Sequence, residues 1–495
     1  MRSLFHRAED PHYVSAPPSA AETVTDTAAS HETAGKAEHA VVSREHTARQ
    51  ARARKIVTPQ ERLVRKRRVA AATLALSLLV GGRWIVANQE PTYPKGEGVY
   101  ATNTAPQWGQ MKQPNAATFY MAATDALNYE TVFGNSGGYR GGSSRLLMDE
   151  PASVQKPYVE RAQPSLNLLR QGMQYPYVAD FQTNHFKTNP SEAKGLSRPV
   201  VNFIAQREMA RLLAAEANVR ASEGNHAGAI ESSLDAIRLG VDQSQGHSLV
   251  DGMIGVLIQG IGAKEGIKHV ANLSPQEARA AATRLQTTLA NESWFARILT
   301  AERDVMYEVL QSLYSGAEQG GLSTLGIGNP EQALSGIGTR LVYGAGLLYF
   351  TKQGLVDDVA TYNDRVLARV KLPYYQARQL PPVAESSNPL VRIASPGYER
   401  AFRQATVKAA WNRVLLAQLA VQAYRGDHGG TLPASLAVLT QGTAPYLTAL
   451  PTDPFSPTAA DPLRYDPRSG NVYSVGDNGT DDGNAGDDNA ELRDE

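Results

Sequence analysis

The sequence contains no cysteine. Disulfide bonds, cysteine-ligated zinc, iron–sulfur clusters and thiol catalysis are therefore excluded. The chain also has no formal net charge, since its 49 basic residues balance 49 acidic ones. A hydrophobic content of 42% supports a buried core, and it excludes both a wholly disordered chain and a multi-span membrane protein.

Catalytic motifs are scarce as well. The stretch 134–138 matches the pattern G-x-S-x-G around Ser136, but glycines continue where a nucleophile elbow requires a helix. The sequence shows no phosphate-binding loop, dinucleotide fingerprint or paired-histidine metal motif. The histidines beyond the first 68 residues are scattered, at His185, His226, His247, His269 and His428. His428 follows a long helical pattern and is predicted to bond helix carbonyls rather than a metal.

The charge balance hides a strong asymmetry. Residues 1–68 hold 13 basic and 8 acidic residues, whereas the rest of the chain holds 36 and 41. The positive excess of this N-terminal part lies in residues 44–68, which hold 10 basic and 2 acidic side chains. Large apolar residues are rare in this region, which predicts a disordered basic tail over residues 1–68. Its final basic run is either a topology signal beside a membrane segment or a patch for nucleic acid or anionic lipid.

One segment, residues 69–87, is long enough to cross a bilayer. Residues 69–80 carry no charge, and Arg83 lies near the far end, where its head can reach the interface. A cleavable signal peptide does not fit, because 68 residues precede the segment. A buried core helix leaves the flanking basic residues unexplained. The pattern favours a transmembrane signal anchor, with the N-terminus in the cytoplasm and residues 88–495 outside.

The region after this segment is predicted to be mainly helical. Residues 88–199 form a mixed, loop-rich stretch, and residues 200–395 form an α-helical domain. A helix pair turns at Gly224-Asn225, and Ser274 with Glu277 predicts a capping box at the start of a later helix. The apolar stretch 249–263 is interrupted by Asp251 and four glycines, so we place it in the core of the folded region.

The last hundred residues, 396–495, have a pattern of their own. A long helix is predicted over 398–424, followed by a short second helix that ends at Leu439. Two short apolar runs, 463–465 and 471–475, flank a Pro-Arg-Ser-Gly turn and predict a β-hairpin. An acidic, glycine-rich loop follows, so this part is predicted to be a small α+β head.

The order of these C-terminal motifs resembles the globular head of type II secretion major pseudopilins. The shared features are the long helix, the Leu-Pro-Thr-Asp-Pro-Phe segment at 450–455, the hairpin and the Asp/Gly loop. The resemblance covers residues 410–490, about a sixth of the chain. The chain departs from that family in lacking a prepilin peptidase site before its apolar segment. Filament assembly is therefore not expected, and the head is interpreted as a reused module, as in uncharacterised bitopic envelope proteins.

The resemblance also implies a calcium ion, because major pseudopilin heads bind calcium in the corresponding loop. Calcium prefers six to eight oxygen ligands, which an Asp-rich loop with turns can supply. The alternative is a solvated acidic tail. The ligands implied by the resemblance are Ser474, Asp477, Asp481, Asp482, Asp487 and Asp488.

Together these patterns predict a single-pass inner-membrane protein. Its bulk would be extracytoplasmic, with a structural or binding role in the bacterial cell envelope and envelope or secretion proteins as partners. One alternative is an envelope hydrolase with an unrecognised site in 88–395, and another is an accessory of a secretion or pilus-like machine. The sequence identifies no small-molecule substrate, and the acidic balance beyond residue 68 argues against nucleic acid as a partner.

Overall fold

The protein is described by a computed structural model. The described residues are 59–87, 115–127, 148–177, 200–245, 249–290, 295–300, 351–384, 397–458 and 460–483, with the single positions 89, 92, 302, 303, 306, 307 and 386.

The described part of the chain is mainly helical, as predicted. Its α-helices are α1 Pro59–Ala87, α2 Ala116–Ala126, α3 Ala152–Gly172, α4 Val200–Ser222, α5 His226–Gln243, α6 Leu249–His269, α7 Pro275–Leu289, α8 Lys352–Val370, α9 Tyr374–Gln379 and α10 Tyr398–Asp427. Short 3-10 helices span Val270–Asn272 and Leu436–Thr440. Strands β1 Arg464–Tyr465 and β2 Val472–Tyr473 pair in antiparallel fashion, which confirms the predicted hairpin.

Local signals explain several helix ends. Gly224 has a φ of 81°, in the left-handed region that glycine favours, and the Asn225 side chain accepts a bond from the Gly228 N–H, 2.8 Å away. These two residues end α4 and start α5, as predicted. The capping box of Ser274 and Glu277 is present at the start of α7.

Helices α5 and α6 approach each other backbone to backbone. A Cβ atom built on Gly255 would lie 2.5 Å from the Gly240 carbonyl oxygen, and one built on Gly262 would lie 2.6 Å from the Ser233 carbonyl oxygen. Side chains at these positions would therefore push the helices apart. The stretch 249–263 thus belongs to the folded core, and Gly255 and Gly262 allow the close packing.

The main hydrophobic core joins the helical region to the C-terminal part. It contains residues of α5, α6, α7 and α10 together with residues after α10 that the sequence assigns to the head. Among its members are Ile230, Ile237, Ala263, Leu285, Leu415, Leu419, Leu439, Leu463 and Val472. The predicted boundary at residue 396 therefore separates elements that share one core, although the domain limits themselves stay a prediction.

Two further clusters extend this core. One joins α2 and α3 to α4, around Tyr120, Leu166 and Met209, so the described helices of the predicted loop-rich region pack on the helix pair. The other lies around Ile298, Val366 and Tyr398 and joins α8 to the start of α10.

Helix α1 differs from the others because its large apolar side chains are exposed. It begins at Pro59, so residues 59–68 are helical rather than part of a disordered tail. The run between Gln60 and Arg68 is rich in Arg, Lys, Glu and Leu, which favour helix, and this outweighs its high charge. The prediction of disorder for residues 1–58 lies outside the described residues.

In the part of the chain that the structure describes, no helix is both long enough and apolar enough to cross a membrane. The single crossing stays a prediction.

Candidate functional sites

The acidic loop brings two of its predicted calcium ligands against arginines. The Asp477 carboxylate pairs with Arg403, with 2.9 Å between Oδ2 and Nε, and lies 3.8 Å from an Nη1 of Arg378. The Asp481 carboxylate lies 3.4 Å from Arg464 Nε and accepts a hydrogen bond of 3.0 Å from the Tyr473 hydroxyl. The charges that calcium would need are thus engaged by the protein's own cations.

The other predicted ligands are spread out. Ser474 is buried and donates its hydroxyl to Asp453, whereas Asp482 is exposed and accepts a bond of 2.9 Å from the Asn478 side chain. Asp487 and Asp488 lie outside the described residues. Among the residues that are described, no group of three or more Asp, Glu or His side chains is arranged to hold a metal.

Asp453 is the buried carboxylate that organises this part of the molecule. Only 1% of the residue is exposed, and it accepts three hydrogen bonds. They come from the Ser474 hydroxyl at 2.7 Å, the Phe455 N–H at 3.0 Å and the Val475 N–H at 2.8 Å. Asp453 therefore ties the segment before the hairpin to the segment after it. The signal was the Asp-Pro pair at 453–454, since Asp commonly bonds the backbone two residues on.

A second set of buried charges lies among α3, α4, α5 and α7. Glu216 of α4 accepts bonds from Arg170, from Arg220 at 3.0 Å and from the Ser232 hydroxyl at 2.7 Å. Asp235 of α5 accepts bonds from Arg170 Nε at 2.7 Å and from Arg284 Nη2 at 2.6 Å. Arg170 thus bridges two buried carboxylates, and four helices are joined through paired charges.

The pKa values in this network follow from the balance of burial and charge. Burial alone would raise the pKa of Glu216, but the hydrogen bonds and positive charge of Arg170 outweigh it, so the pKa lies below its ordinary value. Asp242 of α5 shows the opposite result. Its burial raises the pKa even though Arg238 and the Tyr120 hydroxyl, 2.7 Å away, both favour the charged form. We read both sites as structural, because each carboxylate is enclosed by its partners.

An open groove runs along α7 beside the end of α10. Arg279 pairs with Asp427 at 2.7 Å, and its guanidinium lies 4.0 Å from the centre of the Tyr446 ring. The Tyr446 hydroxyl donates to the same carboxylate at 2.8 Å. The charged groups of the groove are therefore engaged with one another. The lining residues are Pro275, Gln276, Arg279, Ala280, Thr283, Arg284 and Asp427.

Two of the described histidines, His269 and His428, are held in structural roles. His269 is buried, and its Nε2 lies 2.9 Å from Oε1 of Glu265, which is buried too. The Nδ1 of His428 lies 2.8 Å from the Tyr424 carbonyl, which confirms the prediction that this side chain bonds a helix-end carbonyl. Ser136, His185 and His247 lie outside the described residues.

Helix α1 presents a basic collar followed by an apolar segment. The basic collar consists of Arg62, Arg65, Lys66, Arg67 and Arg68, all exposed. At about 100° per residue, these five positions surround the helix axis. The apolar segment, residues 69–80, follows at once, and all of its residues are exposed, among them Leu74 61%, Leu76 62%, Leu78 68% and Leu79 72%.

Comparisons with protein-family models, with curated proteins and with solved structures found no match. The resemblance to pseudopilin heads therefore stays a prediction that rests on the motifs of residues 410–490.

Proposed function

We propose that this protein is a membrane-attached structural or binding protein of the cell envelope. Helix α1 attaches it to a lipid bilayer, and the helical region with its C-terminal part forms a folded body with a shared core that binds other envelope proteins. The observation that carries the proposal is the apolar segment of α1, which is exposed on all sides.

The energetic argument concerns the leucines of this segment. Burying one leucine side chain contributes about 1.5–3 kcal/mol, so four leucines left in water forgo a large stabilisation. A helix that is apolar all round is typical of an apolar environment, because a helix on a protein surface needs only one apolar face. A lipid bilayer supplies such an environment on every side.

The polar group of Thr73 supports the same interpretation. Its hydroxyl donates to the Val69 carbonyl at 2.8 Å, so this group is satisfied within the helix. In lipid, where no water is available, polar groups must be satisfied in this way. The basic collar then lies at the boundary where an interface would begin, with its long side chains able to reach water.

The described part of the folded body favours binding over catalysis. Its buried carboxylates at Glu216, Asp235 and Asp453 are enclosed by arginines, hydroxyls and backbone N–H groups of the protein. Only 1% of Glu265 and 6% of His269 are exposed, so this pair has almost no surface that a substrate could contact. Such enclosed pairs stabilise a fold, whereas an acid–base group must reach its substrate.

The test is fractionation of cells that express the full chain, with a carbonate wash of the membranes. The unaltered protein is expected in the washed membrane pellet. Leu76→Arg/Leu79→Arg is expected to move it to the supernatant, because charges at the centre of an apolar helix oppose insertion. Leu257→Arg is the control for an added charge elsewhere, since this leucine is 45% exposed on α6 of the folded body. Recovery of the unaltered protein entirely in the supernatant would contradict the proposal.

A structural calcium ion on the acidic loop belongs to this proposal. To bind Asp477 and Asp481, it would have to compete with Arg403 and Arg464. We therefore expect calcium binding to require Asp487 and Asp488. The bound ion should slow cleavage of the loop by a protease. Asp487→Asn/Asp488→Asn should abolish this protection, whereas the tail variant Asp494→Asn should keep it. Cleavage at equal rates with calcium and with a chelator would contradict the proposed calcium site.

A further inference from the structure

We propose that the basic collar of α1 recognises the headgroups of anionic lipids, so that the protein selects negatively charged bilayers. The inference rests on the proposed membrane attachment and adds to it the chemistry of the surface that is recognised. The occupant is an anionic phospholipid layer.

The first observation is the contrast between the collar and six arginines of the folded body. Arg170, Arg220, Arg238, Arg279, Arg284 and Arg403 each pair with a carboxylate of the protein. Within the described residues, no carboxylate pairs with any of the five collar side chains. Five cations within seven residues repel one another, so they are stabilised by anions that the described protein does not supply.

The second observation is the dimension of the collar. From residue 62 to residue 68 a helix rises about 9 Å, which spans the headgroup region of about 5–7.5 Å on one side of a bilayer. The apolar segment starts at residue 69, directly beyond the collar. One straight helix therefore places cations at headgroup depth when its leucines enter the hydrocarbon.

Two other occupants would fit the collar and the apolar segment less well than a lipid layer. Nucleic acid would match the cations, but it would leave the adjoining leucines in water. A second copy of α1 side by side in the same direction would cover the leucines, but it would bring two sets of five cations together. An anionic bilayer is complementary to both parts at once.

The experiment is flotation of the purified full chain with lipid vesicles. One set of vesicles is pure phosphatidylcholine, and the other is an equal mixture of phosphatidylcholine and phosphatidylglycerol. We expect the unaltered protein to bind the mixed vesicles at least about a hundredfold more tightly at low salt, because each of the five basic residues near such a surface contributes about 1 kcal/mol to binding. Raising the salt concentration should reduce the difference, since exposed charges are screened.

Arg65→Gln/Lys66→Gln tests the collar. It is expected to lose about thirtyfold of the preference for mixed vesicles, in line with the contribution of two basic residues at about 1 kcal/mol each. The matched control is Arg365→Gln/Arg400→Gln, which removes two exposed arginines from α8 and α10 and should keep the preference. Because all of these side chains are exposed, the variants should fold, which circular dichroism checks.

The outcomes separate this inference from the proposed function. Equal binding to both kinds of vesicle overturns the lipid preference and leaves membrane attachment in place. Binding to neither kind overturns both. Binding of duplex DNA that competes with the mixed vesicles, and that is lost in Arg65→Gln/Lys66→Gln, would assign the collar to nucleic acid instead.

Discussion

Individual buried carboxylates are the residues on which this fold depends most. Asp453 and Glu216 each accept hydrogen bonds from three or more groups. Two partners of Asp453 lie 21 and 22 residues away in sequence, and two partners of Glu216 lie 46 and 53 residues away. Removing one such carboxylate leaves several buried donors without an acceptor. The loss is therefore larger than that of an exposed ion pair, which contributes little.

For Asp453 we expect Asp453→Ala to lower the free energy of unfolding by about 3 kcal/mol, because two backbone N–H groups and one hydroxyl lose a charged acceptor. Urea unfolding followed by circular dichroism measures this. Asp482→Ala, at an exposed position of the acidic loop, should change the value by less than about 0.5 kcal/mol. Equal effects of the two substitutions would contradict the role given to Asp453.

Glu216 leads to a prediction about pH. Since its pKa is lowered in the folded state, it stabilises the fold above the ordinary value of 4.5, and this stability is lost as the pH falls toward its folded pKa. Glu216→Gln is expected to cost about 3–5 kcal/mol at pH 7 and to flatten the fall in stability below pH 4.5. The measurement is unfolding at a series of pH values.

Glu231 provides the control for that experiment. It pairs with Arg284 but is half exposed, so Glu231→Gln should cost less than about 1 kcal/mol. A pH profile for Glu216→Gln that parallels the unaltered protein would show that Glu216 is not responsible for the acid sensitivity.

At the scale of elements, contacts between neighbouring residues were predictable and contacts between distant residues were not. Gly224 with Asn225 and Ser274 with Glu277 act within three or four residues, so their helix ends follow from the sequence. The pairing of Arg170 with Glu216 and Asp235 joins three helices, and no local spacing indicates it. The motif 450–455 pointed to the right region, but it did not reveal that Asp453 rather than the acidic loop is the buried centre.

The contact between α5 and α6 gives a test at this scale. Gly255→Ala is expected to destabilise the fold by about 1–3 kcal/mol, because its Cβ would overlap the Gly240 carbonyl. Gly260 lies on the same helix with no atom near its Cβ position. Gly260→Ala should therefore stabilise the fold by up to about 1 kcal/mol through helix propensity. Thermal unfolding of the two variants distinguishes them, and effects of the same sign would contradict the backbone contact.

At the scale of the whole molecule, the question is whether residues 396–495 fold alone. The sequence pattern suggested a separate head, because its motifs form a continuous block. The structure shows that Leu415 and Leu419 of α10 are fully buried in a core shared with α5, α6 and α7. The amphipathic pattern of α10 indicated that one face would be covered, but it did not indicate by what.

We expect a fragment of residues 396–495 to be largely unfolded, because that shared face of α10 would be exposed to water. Residues 115–495, which retain α2, α3 and Arg170, should keep a cooperative unfolding transition. The measurement is circular dichroism with thermal unfolding of both fragments. A fragment 396–495 with a sharp transition of its own would show that the head is an independent module.

Membrane attachment through α1 is the central proposal, and protease accessibility in spheroplasts tests it most directly. The full chain would carry a tag at its C-terminus, and protease would be added outside the intact inner membrane. We predict that the protein stays with the membrane and that the tag is cleaved without lysis. A tag that is cleaved only after lysis, on a protein recovered free of the membrane, would contradict the account.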